Sequence, residues 1–460
     1  MSNIGPAANA WSPHFGFAYN VRPKTVLRGS YGLSSSALFG LAANGGNLPA
    51  TGWSWNGSSQ SLNNGITPAF NWSQTLGFPT APPPLPTLDP AILNGSSPST
   101  WYPNDIRPAR TQNINAGIEQ QLPWNLLVKV NYVGTMSHGL MTDSAIQENQ
   151  LNPKYLALGD VLTEDITSPD AQNAGIVAPY PGFTGPVSQA LLPFPQYLGI
   201  SNILSHTGYS EYNSLQVIVQ KHFGESLFFL VTYTNSKQLT NVGSFGGQGY
   251  AQTSGLLQEN SEINTKTLGV LDRPQNLQLS YVYQLPFGSG KRFANTNNSF
   301  LKQVVAGWQI SGFQQYTSGD PIAVTTEQAI PGNFGPIWAD RVPGVPLVQT
   351  GCGSYDPGST SQNRYLNLSA FIDPAPFTFG NTRVLPTVRN CPYYNENLSA
   401  QKMFKIRERG TLLFSADFNN LFNRHTWLGL QTNIDNAATF GQYTGASVPR
   451  LIQFHVKLEF

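Results

Sequence analysis

The sequence has 460 residues, enough for two or three soluble domains or for one large β-barrel. Only 11% of the residues are charged, 12% are aromatic and the formal net charge is +1, so nothing points to a nucleic-acid partner. No apolar run approaches the roughly 18 residues of a membrane helix, and the many Gly (44) and Pro (35) residues favour a turn-rich β protein over a soluble α/β enzyme.

Segments in which apolar and polar residues alternate recur along the whole chain. Alternation predicts strands, because successive side chains of a strand point to opposite faces. The first two segments, Phe15 to Val21 and Leu27 to Leu33, are joined by a tight connection and predict a hairpin. About eleven strands are predicted in this way, at residues 15–21, 27–33, 114–118, 126–132, 215–223, 227–233, 277–285, 308–316, 398–406, 412–420 and 452–460.

The connections between the predicted strands alternate between short and long. Long loops without a strand pattern are predicted near residues 34–110, 137–211, 238–272, 318–395 and 424–449. In an antiparallel meander, this alternation puts the short turns at one end and the long loops at the other. Bacterial outer-membrane barrels have the same asymmetry, with short periplasmic turns and long extracellular loops. We therefore predict an all-β fold, an antiparallel transmembrane β-barrel portion.

The last predicted strand shows the pattern most clearly. Its apolar residues alternate with polar ones, and about ten residues are enough to cross a bilayer at a tilt. The apolar positions are Ile452, Phe454, Val456, Leu458 and Phe460. On an earlier strand Lys402 falls on the apolar face, which a β-bulge or a register break would explain.

The strand count suggests that the barrel is incomplete. Single-chain bacterial barrels have an even number of strands, and a bilayer core does not tolerate unpaired strand edges. Residues 1–5 also lack the features of a secretory signal peptide. We therefore expect residues 1–460 to be the C-terminal half of a barrel, with a signal peptide and further strands outside this sequence.

Nine short motifs carry a family resemblance. They are WSPHFGFAY at 11–19, TVLRGSYG at 25–32, QLPW at 121–124, YVG at 132–134, YNSLQV at 212–217, YQLPFG at 283–288, GWQISG at 307–312, FNNLFN at 418–423 and PRLIQF at 449–454. Their order resembles the C-terminal barrel of Oar-like TonB-dependent outer-membrane receptors. The resemblance implies a barrel of about 22 strands closed by an N-terminal plug, which moves a bulky extracellular ligand with force from an inner-membrane TonB complex.

The resemblance also bears on individual residues and on what the sequence lacks. It implies that the outer-membrane assembly machinery reads the terminal aromatic residue Phe460, together with the apolar row Leu458, Val456 and Phe454. No segment matches the plug, the TonB box or the N-terminal carboxypeptidase regulatory-like domain of that family. TonB coupling is therefore an expectation from the resemblance alone.

Two groups of loop residues are candidate site residues. Cys352 and Cys391 lie in the loop predicted at 318–395 and are either unrelated thiols or a disulfide formed in an oxidising compartment. Trp53, Trp55 and Trp72 lie among Asn and Ser residues in the first long loop. Such aromatic side chains could face a ligand and stack on sugars or peptides, or they could pack within the loop.

The sequence gives no sign of catalysis. The histidines are scattered at positions 14, 138, 206, 222, 425 and 455 without metal-ligand spacing, and nucleophile-elbow and phosphate-binding motifs are missing. An all-β glycosidase would need two converging carboxylates, but few Asp or Glu residues lie on the predicted strands. We predict no enzyme activity, no cofactor and no metal.

The preferred hypothesis is an outer-membrane receptor or transporter barrel of bacteria that takes part in ligand binding and energised transport. Its expected partners are outer-membrane lipid, the remaining strands and plug, and an unidentified extracellular ligand. The alternative is a secreted, soluble β-rich binding or adhesion protein. A propeller array of that kind would show an internal repeat of about 40 to 50 residues, and no regular repeat is visible.

Overall fold

One large antiparallel β-sheet dominates the protein. The computed structural model describes residues 11–35, 61, 63–69, 89–96, 99–101, 108–140, 146–202, 208–223, 226–241, 267–288, 291–294, 298–332, 336–406 and 410–460. Within these residues, eleven long strands pair in chain order, each beside the next, and this confirms the predicted meander of about eleven strands. The strands are β1 (His14–Arg22), β2 (Thr25–Ser35), β3 (Arg110–Leu122), β4 (Leu126–Leu140), β5 (Gly208–Phe223), β6 (Leu227–Thr240), β7 (Gln275–Gln284), β8 (Trp308–Thr317), β9 (Tyr393–Ile406), β10 (Gly410–Asn419) and β11 (Leu451–Glu459).

The connections leave the two ends of this sheet unequally. On one side the strands are joined by residues 23–24, 123–125, 224–226, 285–307 and 407–409, and on the other by residues 36–109, 141–207, 241–274, 318–392 and 420–450. Strands β4 and β5 extend further than the apolar alternation indicated, through pairs such as Ser137 with Ser210 and His138 with Tyr209. Backbone pairing continues here beyond the apolar stretch, because the ladder depends on N–H and C=O groups and not on side-chain polarity.

The described parts of the connections carry short elements of their own. The helices are α1 (Pro90–Leu93), α2 (Pro169–Asn173), α3 (Val187–Ala190) and α4 (Ser299–Val305), with 3₁₀ segments at Pro153–Thr163 and Leu368–Ala370. Three short strand pairs are Thr325–Thr326 with Ile337–Trp338, Asp340–Arg341 with Phe371–Ile372, and Trp427–Leu430 with Tyr443–Ala446. Ile200–Asn202 pairs with both Ser99–Trp101 and Ile146–Gln147. Thr267–Leu268 pairs with the last residues of β6. Among the described residues, every helix is too short or too polar to cross a bilayer.

The strand register separates the sheet into an apolar and a polar face. Between β10 and β11 the apolar pairs are Leu412 with Leu458, Phe414 with Val456, Ala416 with Phe454 and Phe418 with Ile452. The pairs between them include Thr411 with Glu459, Ser415 with His455 and Asp417 with Gln453. Because directly opposed side chains share a face, we call the face that carries Phe414 and Phe454 the outer face, and the face that carries Asp417 the inner face.

Two charged side chains, Glu396 and Lys402, lie on the outer face of β9. Strand β9 pairs with β8 and β10 through Lys402 in unbroken register, so the bulge or register break expected from the sequence is wrong. Lys402 is instead covered: it is only 2% exposed, and its Nζ donates to the Ala306 carbonyl of the β7–β8 connection. Glu396 is fully buried and lies 2.8 Å from Nε of Arg424 in the β10–β11 connection. Connections folded over both ends of β9 therefore shield the two charges.

The buried apolar clusters of the described residues lie in the long connections. One cluster joins residues 318–392 to residues 420–450, and its members are Ile322, Val324, Ala339, Leu347, Tyr355, Tyr365, Leu366, Ala370, Phe371, Leu385, Cys391, Ile434, Phe440 and Tyr443. A second cluster belongs to the β4–β5 connection and comprises Leu151, Leu162, Ile166, Ala171, Phe183, Val187, Ala190 and Leu192. The long connections are thus packed structures, which the absence of a strand pattern did not indicate.

Candidate functional site: the outer face and the loop cap

The outer face of the terminal strand is uncovered. Phe454 and Val456 are each 68% exposed, Leu458 is 54% exposed and Phe460 is fully exposed. The ring of Phe454 stacks on that of Phe414 at a centroid distance of 6.1 Å, which continues the apolar row onto β10. A soluble β-sandwich would bury such a row under a second sheet. An uncovered apolar row of this length is instead suited to contact with lipid.

The inner face is lined with amides, hydroxyls and paired charges. On β10, Asp417 accepts a hydrogen bond from Ser399 (2.5 Å) and lies 3.2 Å from Nε2 of His455. Asp417 is therefore part of a polar network on the inner face. Near the other end of the sheet, Glu119 lies 3.0 Å from Arg28 and 3.3 Å from Lys129.

A groove of about 570 Å³ lies beside the Arg28–Glu119 ion pair. It is lined from β1 to β5 by small and amide-bearing residues, among them Gly16, Ala18, Ser30, Gly117, Asn115, Asn131 and Gln216. Small side chains on neighbouring strands leave this space open, and the amides around it offer hydrogen-bond donors and acceptors. The inner face can therefore hold water or polar protein groups.

Residues 318–332, 336–392 and 420–450, here called the loop cap, form one packed unit over the long-loop end of the sheet. Tyr443 lies at its centre and joins both segments: its N–H donates to the Tyr355 hydroxyl (2.8 Å), and its own hydroxyl accepts from the Cys391 N–H (3.1 Å). Arg364 donates to three backbone carbonyls of residues 437–440 at 2.7 to 2.9 Å. Burial raises the pKa of Tyr365, which donates to the Arg389 carbonyl. These contacts join the two segments of the cap to each other.

Two ion pairs attach the loop cap to the wall. The carboxylate of Asp272, just before β7, is almost completely buried and lies 2.5 Å from Nη2 of Arg389. The same carboxylate accepts from the Gln238 N–H of β6 (2.6 Å), while Arg389 also donates to the Asp272 carbonyl (2.7 Å). Beside it, Arg273 donates to Asp320 (2.7 Å), and this hydrogen bond raises the pKa of the arginine.

The sequence-derived site residues have different outcomes. Cys352 and Cys391 form a disulfide within the loop cap, with Cα atoms 5.6 Å apart. Phe454, Val456 and Leu458 lie together on the outer face, and Phe460, which directly follows β11, is fully exposed. Trp53, Trp55 and Trp72 lie outside the described residues, so their role as ligand-facing aromatics stays a prediction.

The family is decided by a match over nearly the whole sequence. Residues 2–453 match the family described as outer membrane beta barrel domain. The chain belongs to this outer-membrane β-barrel family. The match confirms the predicted fold class and the bacterial outer membrane as its location. The secreted, soluble alternative is thereby disfavoured.

The barrel domain is also similar to solved outer-membrane structures. They include the transporter YddB from Escherichia coli (10% identity, 97% of this chain and 40% of that chain, TM-score 0.42). Another is the pyoverdine receptor FpvA from Pseudomonas aeruginosa (10% identity, 98% of this chain and 36% of that chain, TM-score 0.38). A third is the FrpB iron transporter from Neisseria meningitidis (11% identity, 97% of this chain and 39% of that chain, TM-score 0.39). The chain therefore spans about two fifths of the length of these proteins. No curated protein matches the sequence significantly.

Sequence reasoning missed the residues that build and attach the loop cap. The apolar run Ile322-Ala323-Val324 was a local signal of a buried segment inside the predicted loop. The ion pair between Asp272 and Arg389 had no comparable signal, because its partners are 117 positions apart. The cap of this barrel domain is therefore visible only in the folded chain.

Proposed function

We propose that this domain is the C-terminal half of the wall of an outer-membrane receptor or transporter of the TonB-dependent type. The observation that best supports this proposal is the uncovered apolar row of Phe454, Val456 and Leu458 in a chain that belongs to a family of outer-membrane barrels. In this proposal the outer face contacts lipid, and the inner face lines a lumen occupied by a plug. Force for transport comes from an inner-membrane TonB complex, a role that rests on the motif resemblance.

The two edges of the sheet support the view that more strands complete the wall. Among the described residues β1 pairs only with β2, and β11 pairs only with β10. Each outer edge therefore carries unpaired N–H and C=O groups, which cost several kcal/mol each in a bilayer core. About eleven further strands would pair both edges and give a barrel of about 22 strands, the size at which a lumen is plugged.

The loop cap is the surface that we propose for an extracellular ligand. It lies on the side of the long connections, which face the outside in outer-membrane barrels. Its packed core, its disulfide and its ion pairs to the wall hold the cap in one arrangement. A surface ordered before binding loses less conformational entropy when the ligand arrives. We also propose that the tryptophans of the first long loop face this ligand.

We propose a binding and transport role without catalysis. Among the described residues, no group of three or more His, Cys, Asp or Glu side chains could hold a metal ion. Asp272 and Asp320, the two carboxylates at the junction between the loop cap and the wall, are engaged in ion pairs that hold structure together.

Replacement of the terminal aromatic residue tests the outer-membrane role. In cells that express the protein, we expect Phe460→Ser to reduce the amount of heat-modifiable barrel in the outer-membrane fraction severalfold. Val448→Ser is the matched control, because Val448 is also an exposed apolar residue but lies outside β11. Equal barrel yield from Phe460→Ser and wild type would contradict the assembly role of the terminal strand.

The coding sequence upstream of residue 1 tests the proposal of a half barrel. An in-frame signal peptide, a plug and about eleven further alternating segments would support it. A stop codon in the same frame directly upstream of residue 1 would overturn it, because no further strands of the same chain could then pair the free edges of β1 and β11.

A further inference from the structure

The β7–β8 connection, residues 285–307, differs from the other connections on the short-turn side, because it contains the helix α4. The indole N–H of Trp308 donates to the Val304 carbonyl (2.9 Å), and Lys402 donates to the Ala306 carbonyl. Trp308 and Lys402 are direct partners on the outer face of β8 and β9. The C-terminal end of α4 is therefore held against the outer face of the wall, and not beneath the inner face.

Helix α4 presents apolar side chains that are exposed or half-exposed in the described structure. Phe300 is 75% exposed, and Leu301 and Val304 are each about half exposed. Residues at spacings of three and four share one side of a helix, so these three side chains form a single apolar stripe. The stripe meets the wall at Val304, whose carbonyl accepts from Trp308 of the outer face. Phe293 of the same connection is also exposed.

The charged residues of this connection are all positive. Residues 285–307 contain Lys291, Arg292 and Lys302 and have no Asp or Glu. Lys291 and Arg292 are exposed, and the Arg292 guanidinium lies 5.4 Å from the centre of the Phe293 ring. Cations next to exposed apolar side chains are the composition of a segment that lies in the headgroup layer of a membrane.

We infer that the β7–β8 connection docks on anionic phospholipids of the periplasmic leaflet. The stripe of Phe300, Leu301 and Val304 enters the boundary between headgroups and acyl chains, and Lys291 and Arg292 contact phosphate groups. The stripe is attached to the outer face through the hydrogen bond from Trp308 to Val304. The connection has three cationic residues and no Asp or Glu, so an anionic headgroup is the ligand that its charge favours. The inference rests on the proposed function, since it requires the wall to lie in a bilayer.

Site-specific fluorescence tests the inference on the full-length protein in lipid vesicles. Phe300→Cys, Phe454→Cys and Val177→Cys are each labelled with the environment-sensitive dye NBD under oxidising conditions, which protect the Cys352–Cys391 disulfide. Phe454 reports on the wall, and Val177, exposed in the β4–β5 connection, reports on the extracellular side. The vesicles contain phosphatidylcholine alone or with about 30% phosphatidylglycerol, and a phospholipid with a nitroxide near its headgroup supplies the quencher.

We expect nitroxide quenching at positions 300 and 454 but not at 177, with stronger quenching at 300 in the anionic vesicles. Each cation near an anionic surface is worth about fivefold in the docking equilibrium, so Lys291→Gln/Arg292→Gln should remove most of that increase. Quenching at 454 without quenching at 300 would overturn the docking while leaving the proposed function intact. No quenching at 454 would overturn both. Equal quenching at 300 in both vesicle types would overturn the assignment to anionic lipid.

Discussion

The attachment of the loop cap to the wall gives the sharpest stability prediction. Arg389→Met keeps most of the side-chain length but removes the cation that faces the buried carboxylate of Asp272. Removing one partner of a buried ion pair costs about 3 to 5 kcal/mol, because the other charge stays buried without compensation. Arg389 itself is 24% exposed, so we expect the lower end, about 3 kcal/mol, for local opening of the cap.

Hydrogen exchange measures this opening directly. The Asn390 N–H donates to the Asp320 carbonyl (2.8 Å) beside the ion pair and reports on the attachment. A loss of about 3 kcal/mol corresponds to about 100-fold faster exchange at this amide. The control is Arg341→Met, which removes an exposed arginine of the same loop cap. Exchange in Arg389→Met within threefold of that in Arg341→Met would refute the reasoning.

A double-mutant cycle separates the ion pair from other effects of the substitution. Asp272→Asn leaves Arg389 partly exposed, so the arginine can reach water, and we expect a smaller loss than for Arg389→Met. The double variant should lose less than the sum of the two single variants, with a coupling of about 1 to 3 kcal/mol. Additive losses would show that the two side chains do not stabilise the cap through each other.

Three further predictions concern the interior of the loop cap. Cys352→Ser/Cys391→Ser removes a disulfide whose cysteines are 39 positions apart, and it should destabilise the cap by up to about 4 kcal/mol. Faster proteolysis of residues 340–392 would measure this loss. Gly441→Ala should cost about 1 to 3 kcal/mol in thermal unfolding, because φ is +78° and a Cβ atom would lie 2.5 Å from the Leu366 carbonyl oxygen. Burial raises the pKa of Tyr365 above its ordinary 10.0. The free energy of unfolding of the cap should therefore keep its full value below about pH 10 and fall as the pH rises through the raised pKa. Tyr365→Phe should remove this decline.

Each of these predictions has a matched check. Alkylation of the cysteines without prior reduction would contradict the disulfide. Gly445→Ala is the control for Gly441→Ala, because a Cβ atom at Gly445 meets open space, and equal unfolding temperatures for the two variants would contradict the steric argument. An unchanged alkaline decline in Tyr365→Phe would assign the pH dependence to another group.

The sequence predicted the wall well because the signal for a half-exposed strand is local. Alternation in segments such as Leu277 to Leu285 depends only on neighbouring residues, and the order of short and long connections then fixed which strand ends lie together. The sequence did not predict how charges on the outer face are tolerated. The residue that shields Lys402 lies 96 positions away at Ala306, and only folding brings the two together.

By itself, the sequence determined a meander of eleven strands with one apolar face, because an alternating side-chain pattern is compatible with few other structures in a membrane. Tertiary structure alone decided the packed loop cap, its attachment through Asp272 and Arg389, and the position of α4 against the outer face. These features depend on contacts between distant segments whose side chains show no periodicity. Their stability comes from complementary shape and charge, which appear only when the strands have brought the connections together.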